Sequence, residues 1–156
     1  MSRDTPEHEL NARGLRFAII TARFNGEIAE RLAGAAAALL EQRGAAAVER
    51  TWHVPGAFEL PLAARWCADS GRFDAVLAFG AVVRGETEHF RLVADASSNG
   101  LLRVSLDTGV PVLNGVLAVH DRAQADARSG GALGNRGTEV ALAAIEMARL
   151  YRQVRA

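Results

Sequence analysis

The chain is expected to fold as an α/β protein built on a four-stranded parallel sheet. Four short apolar runs of strand length alternate with longer segments of helical period, the pattern of repeated β-α-β units. The run at 15–21 (LRFAIIT) is almost unbroken, as in a strand covered on both faces. Hydrophobic residues make up 49% of the 156, enough for a core on each side of a sheet. Crossovers between such strands are expected to be right-handed.

Residues 1–13 are polar and are read as a poorly ordered arm before a single domain over 14–156. After the first strand, Asn25 is placed to cap a helix whose apolar face runs through Ile28, Leu32, Ala35, Ala36 and Leu39. Gly44 is placed to end it. Ala47 to Val54 (AVERTWHV) alternates as a second strand and is closed by Pro55 and Gly56. A helix follows to about Ser70, starting near Glu59 or Leu60, because Pro61 fits only a first turn. Residues 75–83 (AVLAFGAVV) form the most strand-like segment.

Phe90 to Asp107 returns a helical pattern weakened by SSNG at 97–100. Val110 to Leu117 is the fourth strand, with Pro111 at its start or on an edge. Asp121 to Arg128 is a short helix, SGGALG at 129–134 a glycine-rich link, and Arg136 to about Arg152 a last helix. That helix carries small apolar residues around much of its circumference, which suits burial on more than one side. Four strands are few for a sheet covered on both faces, so self-association is expected.

Eighteen basic and 18 acidic residues balance, leaving no broad electrostatic footprint for nucleic acid or an anionic membrane. The single cysteine, Cys67, excludes an internal disulfide and a cysteine-based zinc site, and reads as an inert buried thiol. No pair of histidines or carboxylates has metal-ligand spacing. The polar N-terminus lacks the apolar core of a signal peptide, and no apolar stretch approaches the ~20 residues that span a bilayer. A cytoplasmic protein is expected.

In a parallel sheet the carboxyl ends of the strands lie on one edge, where ligands bind. The first strand delivers Phe24 and Asn25 there, the second Gly56, Ala57, Phe58 and Glu59, and the fourth Asn114 and the residues after it. The third delivers the segment GAVVRGETEHF at 80–90. There Ala81, Val82 and Val83 end the strand, Gly85 frees the backbone, Glu86 and Thr87 offer short-range hydrogen bonds, and His89 can carry a proton near neutral pH. Phe24 is either a stacking platform or a staple at the helix start. Glu59 is a helix-start acid or a ligand group, and His89 a surface residue or a proton carrier. His8, His53 and His120 are weaker candidates. The R-G-E-T turn has N–H groups for phosphate, and Arg128 and Arg136 have the charge. The glycines at 130, 131, 134 and 137 have neither P-loop nor dinucleotide-fingerprint spacing.

The strings RFN (23–25), VPGAFELP (54–61), GAVVRGETEHF (80–90), GVL (115–117) and GNRGTEVALAAIEMARL (134–150) resemble the 6,7-dimethyl-8-ribityllumazine synthase family of riboflavin biosynthesis. The resemblance runs from about 14 to 150. It implies a flavodoxin-like three-layer fold and a homopentamer or multiples of one. The implied reaction condenses 5-amino-6-(D-ribitylamino)uracil with 3,4-dihydroxy-2-butanone 4-phosphate, with no metal or organic cofactor. By the same resemblance Phe24, with Asn25 beside it, stacks on the pyrimidine, and Ala57, Phe58 and Glu59 bind the ribityl chain. Ala81, Val82 and Val83 line the base, Gly85, Glu86 and Thr87 form the phosphate loop, and His89 transfers protons. Arg128 binds phosphate from the neighbouring subunit, with charge support from Arg136 and Glu139. Three positions depart from the family pattern: Asn114 replaces a common phenylalanine, Ala118 and Val119 a Thr-Thr pair, and Arg136 a lysine. A flavin- or lumazine-binding protein of the same fold is the alternative; a flavodoxin-like electron carrier lacks support, since no Ser/Thr-rich loop follows the first strand.

Overall fold

A computed structural model describes residues 10–156. Four parallel strands form the sheet: β1 (Arg16–Ala22), β2 (Ala47–Val54), β3 (Ala75–Val83) and β4 (Val112–Val119), in the order β2-β1-β3-β4. Helices α1 (Gly26–Gln42), α2 (Leu60–Asp69) and α3 (His89–Thr108) connect them, and α4 (Arg122–Arg128) and α5 (Arg136–Arg155) follow.

Side-chain alternation along each strand divides the core in two. Phe17, Ile19, Leu77 and Phe79 face one side and pack with Ile28, Leu32 and Leu40 of α1 and with Val140, Ala144 and Ile145 of α5. Ala18, Ile20, Val76 and Ala78 face the other and meet Leu60 and Ala64 of α2 and Leu101 and Val104 of α3. Both faces being dry, the runs that build β1 and β3 are apolar at nearly every position, and each fully buried large side chain contributes about 1.5–3 kcal/mol. The result is the three-layer, flavodoxin-like arrangement expected from the sequence.

Several local expectations are corrected. Asn25 does not cap α1 through its side chain; it stands in the left-handed region at φ 54° and sends its amide elsewhere. Ala35 and Leu39 lie on the half-buried rim of α1, whose buried stripe runs through Ala29, Ala33, Ala37 and Leu40 instead. The fourth strand begins at Val112, because Pro111 stands ahead of it with its carbonyl accepting from Val76 N–H at 2.9 Å. The link at 129–134 folds into a small antiparallel hairpin, β5 (Ser129–Gly131) and β6 (Gly134–Asn135). α5 buries one stripe and leaves Met147, Leu150 and Val154 exposed.

Of the arm, residues 1–9 and with them His8 lie outside the described residues. Residues 10–13 are docked: Ala12 is fully buried, and Arg43 Nη1 donates to the Leu10 carbonyl at 2.7 Å. Cys67 is half-buried, and burial pushes its thiol pKa up. No described helix is long and apolar enough to cross a membrane.

Candidate functional site

The strand order places a topological switch between β1 and β3. From β1 the chain moves outward to β2, then returns to lay β3 on the other side. Helices diverge above such a point and leave a crevice at the strands' carboxyl ends. A cavity of about 690 Å³ occupies this crevice.

Each strand tip reaches the cavity for a local reason. The N–H groups of Arg23 and Phe24 donate to the carbonyls of Val54 and Pro55 at 2.8 and 3.0 Å, so the ends of β1 and β2 are laced together. Phe24 is then left 73% exposed at the cavity wall, which excludes a staple packed against α1. Beyond β2, Pro55 and Gly56 end the strand and Ala57–Glu59 form a single 3-10 turn. Glu59 Oε2 accepts from Gly56 N–H at 3.0 Å, so this carboxylate does brace the turn while also lining the cavity. Phe58, 63% exposed, is a second aromatic wall.

The end of β3 supplies the floor. Ala81, Val82 and Val83 line the cavity, and the Ala81 carbonyl accepts from Asn25 Nδ2 at 3.0 Å. Beyond Arg84 the backbone leaves the sheet. The N–H groups of Gly85, Glu86 and Thr87 meet no acceptor among the described residues, and the Glu88 side chain does not cap α3. His89 opens α3; its N–H donates to Thr87 Oγ1 at 3.3 Å. Free amides at a helix start attract an anion, and the exposed imidazole stands beside them.

Gly56, delivered with the second strand, lines the cavity too, and so do three residues absent from the sequence-based candidates: Pro55, Phe90 and Val93. Pro55 was legible only as strand punctuation, while Phe90 and Val93 read as the core face of α3. His120, at the end of β4, sets its ring 6.3 Å from that of Phe90. His53 pairs on the surface with Glu30, Nε2 to Oε1 at 2.7 Å.

The remaining candidates lie outside this cavity. Glu86 sits on the exposed turn and Asn25 behind the floor. Asn114 projects from β4, its Oδ1 accepting from Val116 N–H at 3.0 Å. Arg128 ends α4, where Nη1 donates to the Gln124 carbonyl at 3.1 Å. Arg136 pairs with Glu139 at 2.7 Å at the start of α5.

Around α4 the charges are tightly paired. Hydrogen bonds from Arg31, then Arg122, hold the Asp126 carboxyl below its ordinary range, and Arg122 does the same for Glu27. A larger cavity, about 840 Å³, opens at the opposite sheet edge, but it gathers none of the strand-tip residues. There Arg152 and Arg72 are taken up by Asp74 and Glu49.

A switch-point crevice walled by exposed aromatics on one side and by a turn with free amides and a histidine on the other is the small-molecule site of an α/β protein. Residues 14–152 match the sequence profile of 6,7-dimethyl-8-ribityllumazine synthase. Relatives bearing that name include proteins of Thermococcus gammatolerans, 48% identical over 96% of each chain, and Salinibacter ruber, 50% identical over 92% of this chain and 93% of that one. A third, of Nitratidesulfovibrio vulgaris, is 44% identical over 96% of this chain and 97% of its own. The chain belongs to the 6,7-dimethyl-8-ribityllumazine synthase family. It is a transferase of riboflavin biosynthesis.

Proposed function

We propose that the switch-point cavity is where the chain condenses 5-amino-6-(D-ribitylamino)uracil with 3,4-dihydroxy-2-butanone 4-phosphate. One observation carries this reading: residues from the ends of β1, β2 and β3 line a single cavity of about 690 Å³. That volume is in the usual range for small-molecule sites.

Phe24 stacks on the pyrimidine, and the backbone of Ala81–Val83 lines its edge. Ala57, Phe58 and Glu59 take the ribityl chain, with the Glu59 oxygen not used on Gly56 accepting from its hydroxyls. The free amides of Gly85, Glu86 and Thr87 hold the phosphate. The ring amine attacks the butanone carbonyl and water leaves. Phosphate is then eliminated, and the ribityl-bearing nitrogen closes the second ring with loss of another water. Juxtaposition supplies much of the acceleration, and His89 shuttles protons between the nitrogen and the departing oxygens.

Arg128 reaches the phosphate of an adjacent copy's cavity, with Asn114, Arg136 and Glu139 near the same junction. Two features favour assembly, which we read as a homopentamer or multiples of it. These groups stand away from their own cavity, and Leu62 and Trp66 on α2 and Leu102 and Leu106 on α3 are each more than half exposed at i, i+4 spacing. Sedimentation gives the count. Residues 14–156 act as one domain. The free thiol of Cys67 suits the reducing cytoplasm.

Mixing the purified chain with both substrates should generate the fluorescent lumazine. His89→Ala is expected to slow turnover about 10²-fold. Phe24→Ala should raise KM for the ribitylaminouracil alone, since base stacking is worth about 1–3 kcal/mol. Wild-type kinetics in both variants would remove the cavity from the reaction.

A further inference from the structure

α4 is seven residues long and buries only Ala125. A helix so short does not hold itself in water, so the place of Arg128 depends on what grips α4 from outside. Arg31, on α1, supplies that grip. Its Nη2 donates to Asp126 Oδ1 at 2.5 Å, and its Nε and Nη2 reach Ser129 Oγ at 3.2 and 3.1 Å. Asp126 and Ser129 flank Arg128 in the chain.

Ser129 is 2% exposed and donates its own proton to the Ala125 carbonyl at 2.8 Å, leaving its lone pairs to Arg31. The Arg31 carbonyl also accepts from Asn135 Nδ2 at 3.2 Å, fixing the far end of the β5–β6 hairpin. Beside it Arg122 Nη2 donates to Glu27 Oε2 at 2.8 Å, a second tie between α4 and α1. Among the described residues, the Arg128 side chain has only the bond within its own helix.

We propose that Arg31 is a positioning residue for Arg128, aiming its guanidinium through Asp126 and Ser129 at the phosphate of the butanone substrate. The proposal rests on the reading of Arg128 as a phosphate ligand. The planar fork of arginine reaches a carboxylate and a hydroxyl together, a geometry that lysine does not reproduce. Because α1 also begins at the Phe24–Asn25 tip, one rigid helix sets both the aromatic wall of a copy's own cavity and the arginine offered to its neighbour.

Steady-state kinetics of the full chain with both substrates tests this in Arg31→Met, Arg31→Lys, Asp126→Asn, Arg128→Ala and the Arg31→Met/Arg128→Ala double variant. Arg31→Met and Asp126→Asn should each raise KM for the phosphorylated butanone about tenfold, a loss of the size small misplacements produce, and leave KM for the ribitylaminouracil unchanged. Arg31→Lys should recover little. The double variant should be no worse than Arg128→Ala alone, because the clamp acts only through that guanidinium. If Asp126→Asn behaves as wild type while Arg31→Met fails, Arg31 acts by its own charge and the clamp is refuted. Losses that multiply in the double variant, or that fall on both substrates together with a lowered melting temperature, assign Arg31 to general stability and overturn the proposal. An unchanged KM in Arg128→Ala removes the reading of Arg128 and the proposal with it. A loss there, with wild-type kinetics in Arg31→Met and Asp126→Asn, removes the proposal alone.

Discussion

The Asn25 amide joins the two strands that border the crevice: its Nδ2 donates to the Ala81 carbonyl at 3.0 Å across the tips of β1 and β3. Asn25 does this from the left-handed region, the only described non-glycine residue at positive φ. Asparagine tolerates that conformation better than most L-residues. Asn25→Ala therefore loses twice, about 1–2 kcal/mol of backbone strain and about 1 kcal/mol for the stranded carbonyl. Asn25→Gly escapes the strain and should cost about 1 kcal/mol. Urea midpoints measure both, and equal losses in the two variants would show that the backbone conformation contributes nothing.

What the sequence reveals here follows from period and punctuation. β1 and β3 were legible because burial on both faces leaves an unbroken apolar run, and α2 because Pro61 admits only a first-turn place. The convergence of Phe24, Ala57–Glu59 and His89 was legible because parallel strands all end on one edge. The β5–β6 hairpin was not, since strands of three and two residues carry no period. Neither was the separation of Asn114 from the cavity, whereas that of Arg128 was implied only by the family resemblance. The former depends on strand order: β4 is the outer neighbour of β3, one strand removed from the switch point, and only long-range pairing fixes it.

Gly137, at the start of α5, lies so close to α1 that a Cβ built there would stand 2.0 Å from the carbonyl oxygen of Leu32. Neither backbone can retreat freely, because α1 and α5 share the core of Leu32, Val140, Ala141 and Ala144. Asn135 Oδ1, which accepts from Gly137 N–H at 2.8 Å, blocks the other direction. Gly137→Ala is expected to cost about 3 kcal/mol or more by overpacking. Thermal unfolding checks this, and a loss below a few tenths would mean the two helices slide apart without penalty.

Acid should loosen α4 before it unfolds the sheet. The ordinary values are 3.8 for Asp126 and 4.5 for Glu27, and arginine hydrogen bonds lower both in the folded chain. A carboxylate held below its unfolded value stabilises the fold fully above that value. The stabilisation is lost as pH falls through the depressed folded value. The ties from α1 to α4 should therefore be intact above about pH 4.5 and fail progressively below 3.8. Both groups are solvent-exposed, so added salt should weaken the effect. Amide exchange across 122–135, followed from pH 6 to 3 as an order-of-magnitude window around carboxylate titration, reads it directly. Asp126→Asn should flatten the part of the profile owed to Arg31. If exchange there tracks global unfolding at every pH, the ion pairs do not hold α4 and its place is set by packing of Ala125 alone.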